Sequence, residues 1–178
     1  MTVNKKKLTV TANSETRKYG QSNPQFTASY SGFVTGQDKQ NSDVTGDPSI
    51  ASNTDEKTGV GTYAITIDTG SLKSNNYSFE LSQGNIVITK APLKLIADSK
   101  TRVFGAANPS FTVTYSGFVN GEDFARSGLA GEPQMTTTAV ATSPVGPYSI
   151  TFVPNVTTSD NYELSYESGT LTVGKANE

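Results

Sequence analysis

The sequence predicts a mostly β (α+β) protein of two tandem domains, residues 1–90 and 91–178, each a mixed sheet with one short helix. Three observations predict this class. A repeat spans nearly the whole chain, apolar residues alternate along short segments, and only three residues join the two copies. The repeat decides the architecture, so it is considered before any single element.

The repeat is clearest in residues 19–38, which return at 104–123. Both segments contain Gly, then Asn-Pro-x-Phe, then Tyr-Ser-Gly-Phe-Val-x-Gly-x-Asp. The same offset of 85 residues holds on both sides of the segment without a gap. Because loops normally tolerate insertions, an ungapped repeat indicates either a recent duplication or two modules that must stay geometrically interchangeable.

Alternating apolar residues predict the strands of each copy, since this pattern is typical of a sheet with one buried face. In the first copy the sets are Leu8, Val10, Ala12; Phe26, Ala28, Tyr30; Tyr63, Ile65, Ile67; and a hairpin of Tyr77, Phe79, Leu81 turning through Gly84 to Ile86 and Ile88. In the second copy they are Leu93, Leu95, Ala97; Phe111, Val113, Tyr115; Tyr148, Ile150, Phe152; and a hairpin of Tyr162, Leu164, Tyr166 turning through Gly169 to Leu171 and Val173. Weaker strands are predicted near 49–53 and 134–140.

One short helix is predicted in each copy, at 39–44 and 124–129. Asp38 and Asp123 precede these segments, and aspartate is a preferred residue at a helix N-terminus. Gly128 and the small polar residues limit the helix to one or two turns.

The joint between the copies, Lys90-Ala91-Pro92, spans about 10 Å and cannot carry the chain back around a domain. Each copy must therefore begin at one end and leave at the other, so that its first and last strands form a parallel pair if they are adjacent. With a short helix on one face, this arrangement resembles a β-grasp; a seven-stranded immunoglobulin-like β-sandwich is the alternative. Because Lys175-Ala176 repeats Lys90-Ala91, we expect a third repeat to follow.

The composition argues against several function classes. The chain has no cysteine and no histidine, which removes disulfides, thiolate nucleophiles, the usual zinc ligands and the side chain best suited to acid–base catalysis near neutrality. The net charge of −2 lacks the basic excess that nucleic acid demands, and no apolar run approaches the roughly 20 residues that span a bilayer. We therefore expect no enzyme activity, no cofactor, no nucleic-acid partner and no membrane span within this chain.

Calcium is the one metal that the sequence suggests, bound weakly by loop oxygens at Asp43, Asp47 or Asp160. The alternative for these residues is capping or a solvated turn. The carboxylate pairs Asp55-Glu56 and Glu122-Asp123 are not expected to act together, since neighbours in sequence usually point apart.

Two features suggest a sugar ligand. Asn76-Tyr77 and Asn161-Tyr162 could stack a sugar ring on the tyrosine, but each tyrosine begins an alternating apolar set, which favours burial. The loops at 54–60 and 136–145 differ between the copies, so they are the expected place for a ligand-binding surface. No ligand-binding residue is assigned from the sequence.

Taken together, Tyr-Gly, Asn-Pro-x-Phe, Tyr-Ser-Gly-Phe-Val-x-Gly-x-Asp, Gly-x-Tyr-x-Ile and Asn-Tyr resemble the MBG domain of the Tyr-Gly-x type. Phe104 replaces the tyrosine of this motif in the second copy, which questions a role for the hydroxyl but not for the ring. The resemblance implies an extracellular repeat of a large bacterial surface adhesin, acting as a rigid link in an extended stalk, with glycan or mucin binding as the alternative. The partners it implies are neighbouring repeats and host or environmental glycans or surface proteins, and we expect the chain to be a monomer.

Overall fold

The computed structural model describes residues 4–176, and the chain divides into two compact units whose boundary lies between Thr89 and Lys90. We call these unit 1 and unit 2. The first three residues of the first predicted domain and the last two of the second lie outside the described residues. Both units have the same order of strands, and the predicted mostly-β class is confirmed.

The strands lie close to the predicted alternating segments. Unit 1 contains β1 (Lys6–Ala12), β2 (Glu15–Lys18), β3 (Ala28–Ser31), β4 (Ser49–Ala51), β5 (Gly61–Asp68), β6 (Tyr77–Ser82) and β7 (Gly84–Thr89). Unit 2 contains β8 (Ala91–Ala97), β9 (Lys100–Val103), β10 (Val113–Ser116), β11 (Met135–Thr136), β12 (Gly146–Phe152), β13 (Tyr162–Glu167) and β14 (Gly169–Gly174). Residues 4–176 form no helix, and hence none that could cross a membrane.

The predicted helices at 39–44 and 124–129 are wrong, and with them the α+β part of the predicted class. Both segments form turns instead. Asp38 still caps its turn, because its Oδ1 accepts hydrogen bonds from the amides of Gln40 (2.8 Å) and Asn41 (2.9 Å). The side chains that follow bond elsewhere: Asp43 accepts bonds from residues 74–76 rather than facing a helix surface. Contacts between residues distant in sequence override local helix propensity in this segment. The choice between a β-grasp-like and an immunoglobulin-like arrangement stays a prediction.

In each unit the first two strands run beside the last two in the same direction, as the short joint predicts. β1 pairs in parallel with β6, and β2 with β7, in one register from Lys6 opposite Tyr77 to Lys18 opposite Thr89. In unit 2, β8 pairs in the same way with β13, and β9 with β14. We call this feature the parallel ladder. The chain enters each unit at one end of its ladder and leaves at the other.

The ladder strands bend from one sheet into a second. In unit 1 the sheets have the orders β3-β1-β6 and β2-β7-β5-β4. The bend needs glycine at position 84, since a Cβ there would lie 2.3 Å from the carbonyl oxygen of Ala12. Gly169 stands in the same relation to Ala97, also at 2.3 Å. Strands that change sheet at a bend make the corners of such folds.

The bend also corrects the predicted terminal hairpin. β6 and β7 do not pair with each other but continue in sequence from one sheet to the other. Only Gln83 separates them, which is shorter than the two-residue loop of the tightest common hairpin. β13 and β14 behave in the same way, with Ser168 between them.

The core of each unit lies between its two sheets. In unit 1 its buried side chains include Leu8, Val10, Ile65, Tyr77 and Ile86. Their unit 2 counterparts are buried too, and include Leu93, Leu95, Ile150, Tyr162 and Leu171. Of the side chains predicted to face the core of unit 2, Tyr166 departs furthest, being 46% exposed against the ring of Phe152.

Candidate functional site

The most unusual buried group in unit 1 is an arginine. Arg17 lies on β2, near the point where the chain leaves the unit, and only 5% of its surface is exposed. Its Nε donates to Oδ1 of Asn23 at 2.8 Å, and its two terminal nitrogens donate to the carbonyl oxygens of Asp55 (2.6 Å) and Lys18 (3.3 Å). Asn23 in turn donates to the carbonyl oxygen of Thr54 at 2.8 Å. We call this arrangement the arginine latch.

Unit 2 contains the same latch. Arg102 is 9% exposed, and its Nε donates to Oδ1 of Asn108 at 2.7 Å. Its terminal nitrogens donate to the carbonyl oxygens of Val140 (2.6 Å) and Val103 (3.3 Å), while Asn108 donates to that of Ala139 (2.8 Å). Five donors in a planar fork suit such a site, since buried polar groups are costly unless they are hydrogen-bonded.

Sequence reasoning missed the latch. Neither Arg17 nor Arg102 was singled out from the sequence. A signal was present nonetheless: arginine and asparagine stand six residues apart in both copies, at equivalent positions. A charged residue retained where its neighbours differ, as Lys18 and Val103 do, is a candidate for a buried role.

The loops predicted to carry a ligand surface, 54–60 and 136–145, provide carbonyl oxygens to the latch. In unit 1, Asp55 also closes its own turn, with Oδ1 accepting from the amide of Lys57 at 2.9 Å. In unit 2 the counterpart loop exposes Val140 (58%) and Val145 (52%). Glycan contact at these loops stays a prediction.

The two predicted sugar-stacking tyrosines are buried, as their alternating sets favoured. Tyr77 is 3% exposed; its hydroxyl accepts from the amide of Val34 at 3.1 Å and donates to Oε1 of Gln37. Tyr162 is 1% exposed and bonds in the same way to Val119 (3.1 Å) and Glu122 (3.2 Å). Each ring therefore anchors the loop that follows β3 or β10, and its face is not available to a sugar.

Two of the three predicted calcium ligands, Asp43 and Asp47, bond to neighbouring protein groups. Asp43 accepts bonds from the hydroxyl of Ser74 and the amide of Asn75, and the Ser74 hydroxyl is the main cause that lowers the pKa of Asp43. Asp47 pairs with Lys39 at 2.9 Å on the surface. Among residues 4–176 no three acidic, cysteine or histidine side chains are placed to hold a metal ion together. Weak calcium binding stays a prediction.

The two carboxylate pairs bond to separate partners. Glu56 accepts from the hydroxyl of Ser22 at 2.8 Å, away from the turn that Asp55 closes. Glu122 accepts from Tyr162, whereas Asp123 forms a surface ion pair with Arg126 at 2.9 Å. This agrees with the expectation that neighbouring carboxylates do not act together.

A groove occurs at the same place in both units, beside β3 and β10. We call it the aromatic groove. In unit 1 it has a volume of about 470 Å³ and is lined by Gln25, Phe26, Thr27, Ala28, Tyr30, Lys39, Asp47, Pro48 and Ile50. In unit 2 it has about 250 Å³ and is lined by Phe111, Thr112, Val113, Tyr115, Phe124, Glu132, Pro133 and Met135. The sequence does not predict this position, because the lining residues come from segments that are distant in sequence.

The two grooves differ at one wall. Lys39 lies over the ring of Tyr30, with Nζ 6.0 Å from the ring centre, and Phe124 takes its place in unit 2 with its ring centre 6.1 Å from that of Tyr115. Burial raises the pKa of both tyrosines, so their hydroxyls stay protonated at neutral pH. Unit 1 therefore presents a charged wall and unit 2 an aromatic one.

Comparison with known families gives a match in each unit. A family model described as MBG domain (YGX type) matches residues 8–87 and residues 93–172, one match in each unit. Comparison with curated proteins gives none. The matched ranges include the latch and the aromatic groove of each unit and all but the ends of its parallel ladder.

Proposed function

The chain belongs to the MBG domain (YGX type) family, and from this premise we propose that it is a load-bearing pair of repeats in the stalk of a bacterial surface adhesin. The family suggests a repeat module of surface proteins. The stalk role, the adhesin and the extracellular location are parts of the proposal. In this role each unit transmits tension along the chain without unfolding.

The parallel ladder is the observation that carries the proposal. Tension along the chain pulls the start of β1 and the end of β7 in opposite directions, and the two strand pairs between them run parallel. Strands loaded in this way slide past each other, so many hydrogen bonds must break together. An antiparallel hairpin pulled from its open end would instead lose its bonds one pair at a time.

The arginine latch strengthens the end at which the chain leaves each unit. There the amide of Tyr19 donates to the carbonyl oxygen of Thr89 at 2.8 Å, and in unit 2 Phe104 bonds to Gly174 at the same distance. Arg17 holds the adjacent turn and loop to β2. Since the chain has no cysteine, these bonds and the packed core, rather than disulfides, must resist the load.

Stretching the intact chain by its ends with an optical trap or force microscope tests the proposal. We expect two separate ruptures, each releasing about 280 Å of contour as some 80 residues extend. The two ruptures should occur at comparable forces, because both units have the same ladder. A chain that lengthens steadily at low force, with no distinct rupture, would overturn the load-bearing role.

A further inference from the structure

The first sheet of each unit has a free edge at β3 or β10. β3 pairs with β1 alone, in antiparallel register, and the amide of Asn13 donates to the carbonyl oxygen of Thr27 at 2.9 Å. Because such pairs alternate along an antiparallel ladder, Ser29 and Ser31 also bond to β1. The backbone groups of Ala28 and Tyr30 therefore point away from the sheet.

Unit 2 repeats this geometry. The amide of Asp98 donates to the carbonyl oxygen of Thr112 at 3.0 Å, which places Thr114 and Ser116 against β8 and turns the backbone of Val113 and Tyr115 outward. Within residues 4–176 the outward amides and carbonyls of these two strands have no hydrogen-bond partner. Each edge thus offers two donors and two acceptors in the spacing of a strand.

These two edges lack the charge and the proline that commonly protect a sheet edge against strand addition. Proteins guard sheet edges with charge, proline, bulges or very short strands. The other edges fit that rule: β2 and β9 are charged, β4 and β11 have three and two residues, and β6 and β13 contain glutamate. β3 and β10 read Ala-Ser-Tyr-Ser and Val-Thr-Tyr-Ser, with no charge and no proline in either copy.

In unit 1 the free edge borders a shallow groove that is open to solvent. The groove has a volume of about 890 Å³, within the range of clefts that hold ligands. One wall is formed by the consecutive residues 28–33 and the other by residues 37–40. A shallow, open groove with a strand edge along one side fits an extended chain better than a compact ligand that needs enclosure.

We propose that β3 and β10 each accept an extended segment of a partner polypeptide as an added strand. The backbone of the incoming segment bonds to Ala28 and Tyr30 in unit 1 and to Val113 and Tyr115 in unit 2. Backbone bonds supply affinity in this mode, and pockets for alternate side chains supply selectivity. Here the pockets are the aromatic grooves, with Lys39 in unit 1 and Phe124 in unit 2 at the differing wall. This function is separate from bearing load.

Hydrogen exchange on the unmodified chain tests the mode of binding. The probe is a random 12-residue peptide library displayed on phage and panned on the full chain, from which an enriched peptide is synthesised. On adding this peptide, the amides of Ala28 and Tyr30, or of Val113 and Tyr115, should exchange at least about tenfold more slowly. The amides of Ser29 and Ser31 already bond to β1 and serve as internal controls that should not change.

A pair of variants tests the same contact by loss. Ala28→Pro with Val113→Pro removes one outward amide from each edge while leaving the bonds to the neighbouring strand, as proline is tolerated at such edge positions. Peptide binding should fall at least about tenfold. The matched control exchanges the two natural residues, Ala28→Val with Val113→Ala, and should bind as the parent does. An amide spectrum unchanged away from the edges establishes that the proline variant is folded.

Several results would overturn the proposal. They are panning that enriches no peptide, a peptide that protects amides elsewhere, or equal binding by the proline variant. Sedimentation showing that the chain pairs with itself at these edges would identify a second copy as the occupant instead. Binding to a glycan array, with hydrogen exchange at the amides of Ala28 and Tyr30 unchanged, would assign the groove beside residues 28–33 to sugars.

Discussion

The two units contain the same latch beneath loops that share little sequence. Asp55 in unit 1 and Val140 in unit 2 accept the same arginine bond at 2.6 Å, although one side chain is charged and the other apolar. The same bond forms with aspartate or valine at this position because the acceptor is a backbone oxygen. A polar site built on the backbone constrains the path of a loop and leaves its side chains free to diverge.

The same comparison shows where the units do not match. Tyr19 is 6% exposed, whereas its counterpart Phe104 is 45% exposed. Thr54 adds a bond from its hydroxyl to Oδ1 of Asn23 at 3.1 Å, and Ala139 has no hydroxyl to do so. The shared features therefore predict equal effects in the two units, and the differences predict unequal ones.

The largest expected effect comes from breaking the latch. Arg17→Met should destabilise unit 1, and Arg102→Met unit 2, by about 3 kcal/mol, because each removes a buried guanidinium and leaves its part-buried carbonyl acceptors without that donor. Urea unfolding of the intact chain, followed by amide NMR signals assigned to each unit, separates the two. Lys18→Met, on an exposed neighbour, is the control and should change little. Losses below about 1 kcal/mol in both units would mean that the latch does not stabilise the fold.

The next effect should again be equal in the two units. Tyr77→Phe and Tyr162→Phe each remove a buried hydroxyl that accepts from a loop amide, at Val34 and Val119. We expect a loss of about 1.5 kcal/mol in the free energy of unfolding of the unit concerned, since that amide loses its partner. The same urea experiment measures it, with the exposed Tyr166→Phe as control. An effect confined to one unit would show that the loops are anchored differently.

A smaller effect should occur in unit 1 alone. Thr54→Ala reproduces the latch of unit 2, where alanine stands at the equivalent position. Because that latch forms without the hydroxyl, the substitution should cost only about 0.5 kcal/mol. The reverse change, Ala139→Thr, should not destabilise unit 2. A cost for Thr54→Ala as large as that of Arg17→Met would refute the claim that the backbone carries the site.

The smallest effect depends on pH and distinguishes Asp98 from its counterpart Asn13. The hydroxyls of Thr112 and Thr114 lower the pKa of Asp98 in the folded unit. A lowered pKa gives stability that is present above the unfolded value and is lost as the pH falls through the folded one. Below about pH 4 this contribution is lost. Asp98→Asn should therefore make the fall in the free energy of unfolding of unit 2 between neutral and acid pH smaller, by a few tenths of a kcal/mol. Urea midpoints of unit 2 at pH 6 and pH 3 measure this fall in the parent chain and in Asp98→Asn. The same fall in both proteins would contradict the prediction.

The sequence predicted the features that depend on a repeating pattern. Alternation placed Leu8, Ile65, Ile86 and their counterparts in the core, and the short joint predicted the parallel first and last strands. Features that depend on contacts distant in sequence were missed. The latch joins Arg17 to Asp55 across 38 residues, and no local pattern marks a carbonyl oxygen as an acceptor.

The failed predictions have local causes. The helix after Asp38 was inferred from its cap, but Asp43 bonds to residues 74–76, which no local propensity reflects. Gly84 was interpreted as a hairpin turn, whereas its missing Cβ allows close contact with Ala12 where the strand changes sheet. In both cases the residue was correctly singled out and its partner lay elsewhere in the chain.

The measurement that tests the load-bearing role most directly compares two pulling directions within unit 1. Since the chain has no cysteine, handles can be attached at single introduced cysteines. Lys5→Cys with Lys90→Cys loads the parallel ladder lengthwise, whereas Lys57→Cys with Val87→Cys pulls β5 and β7 apart from one end of their antiparallel pairing. We predict a clearly higher rupture force in the first direction. Equal forces in the two directions would contradict the parallel ladder as the path of the load.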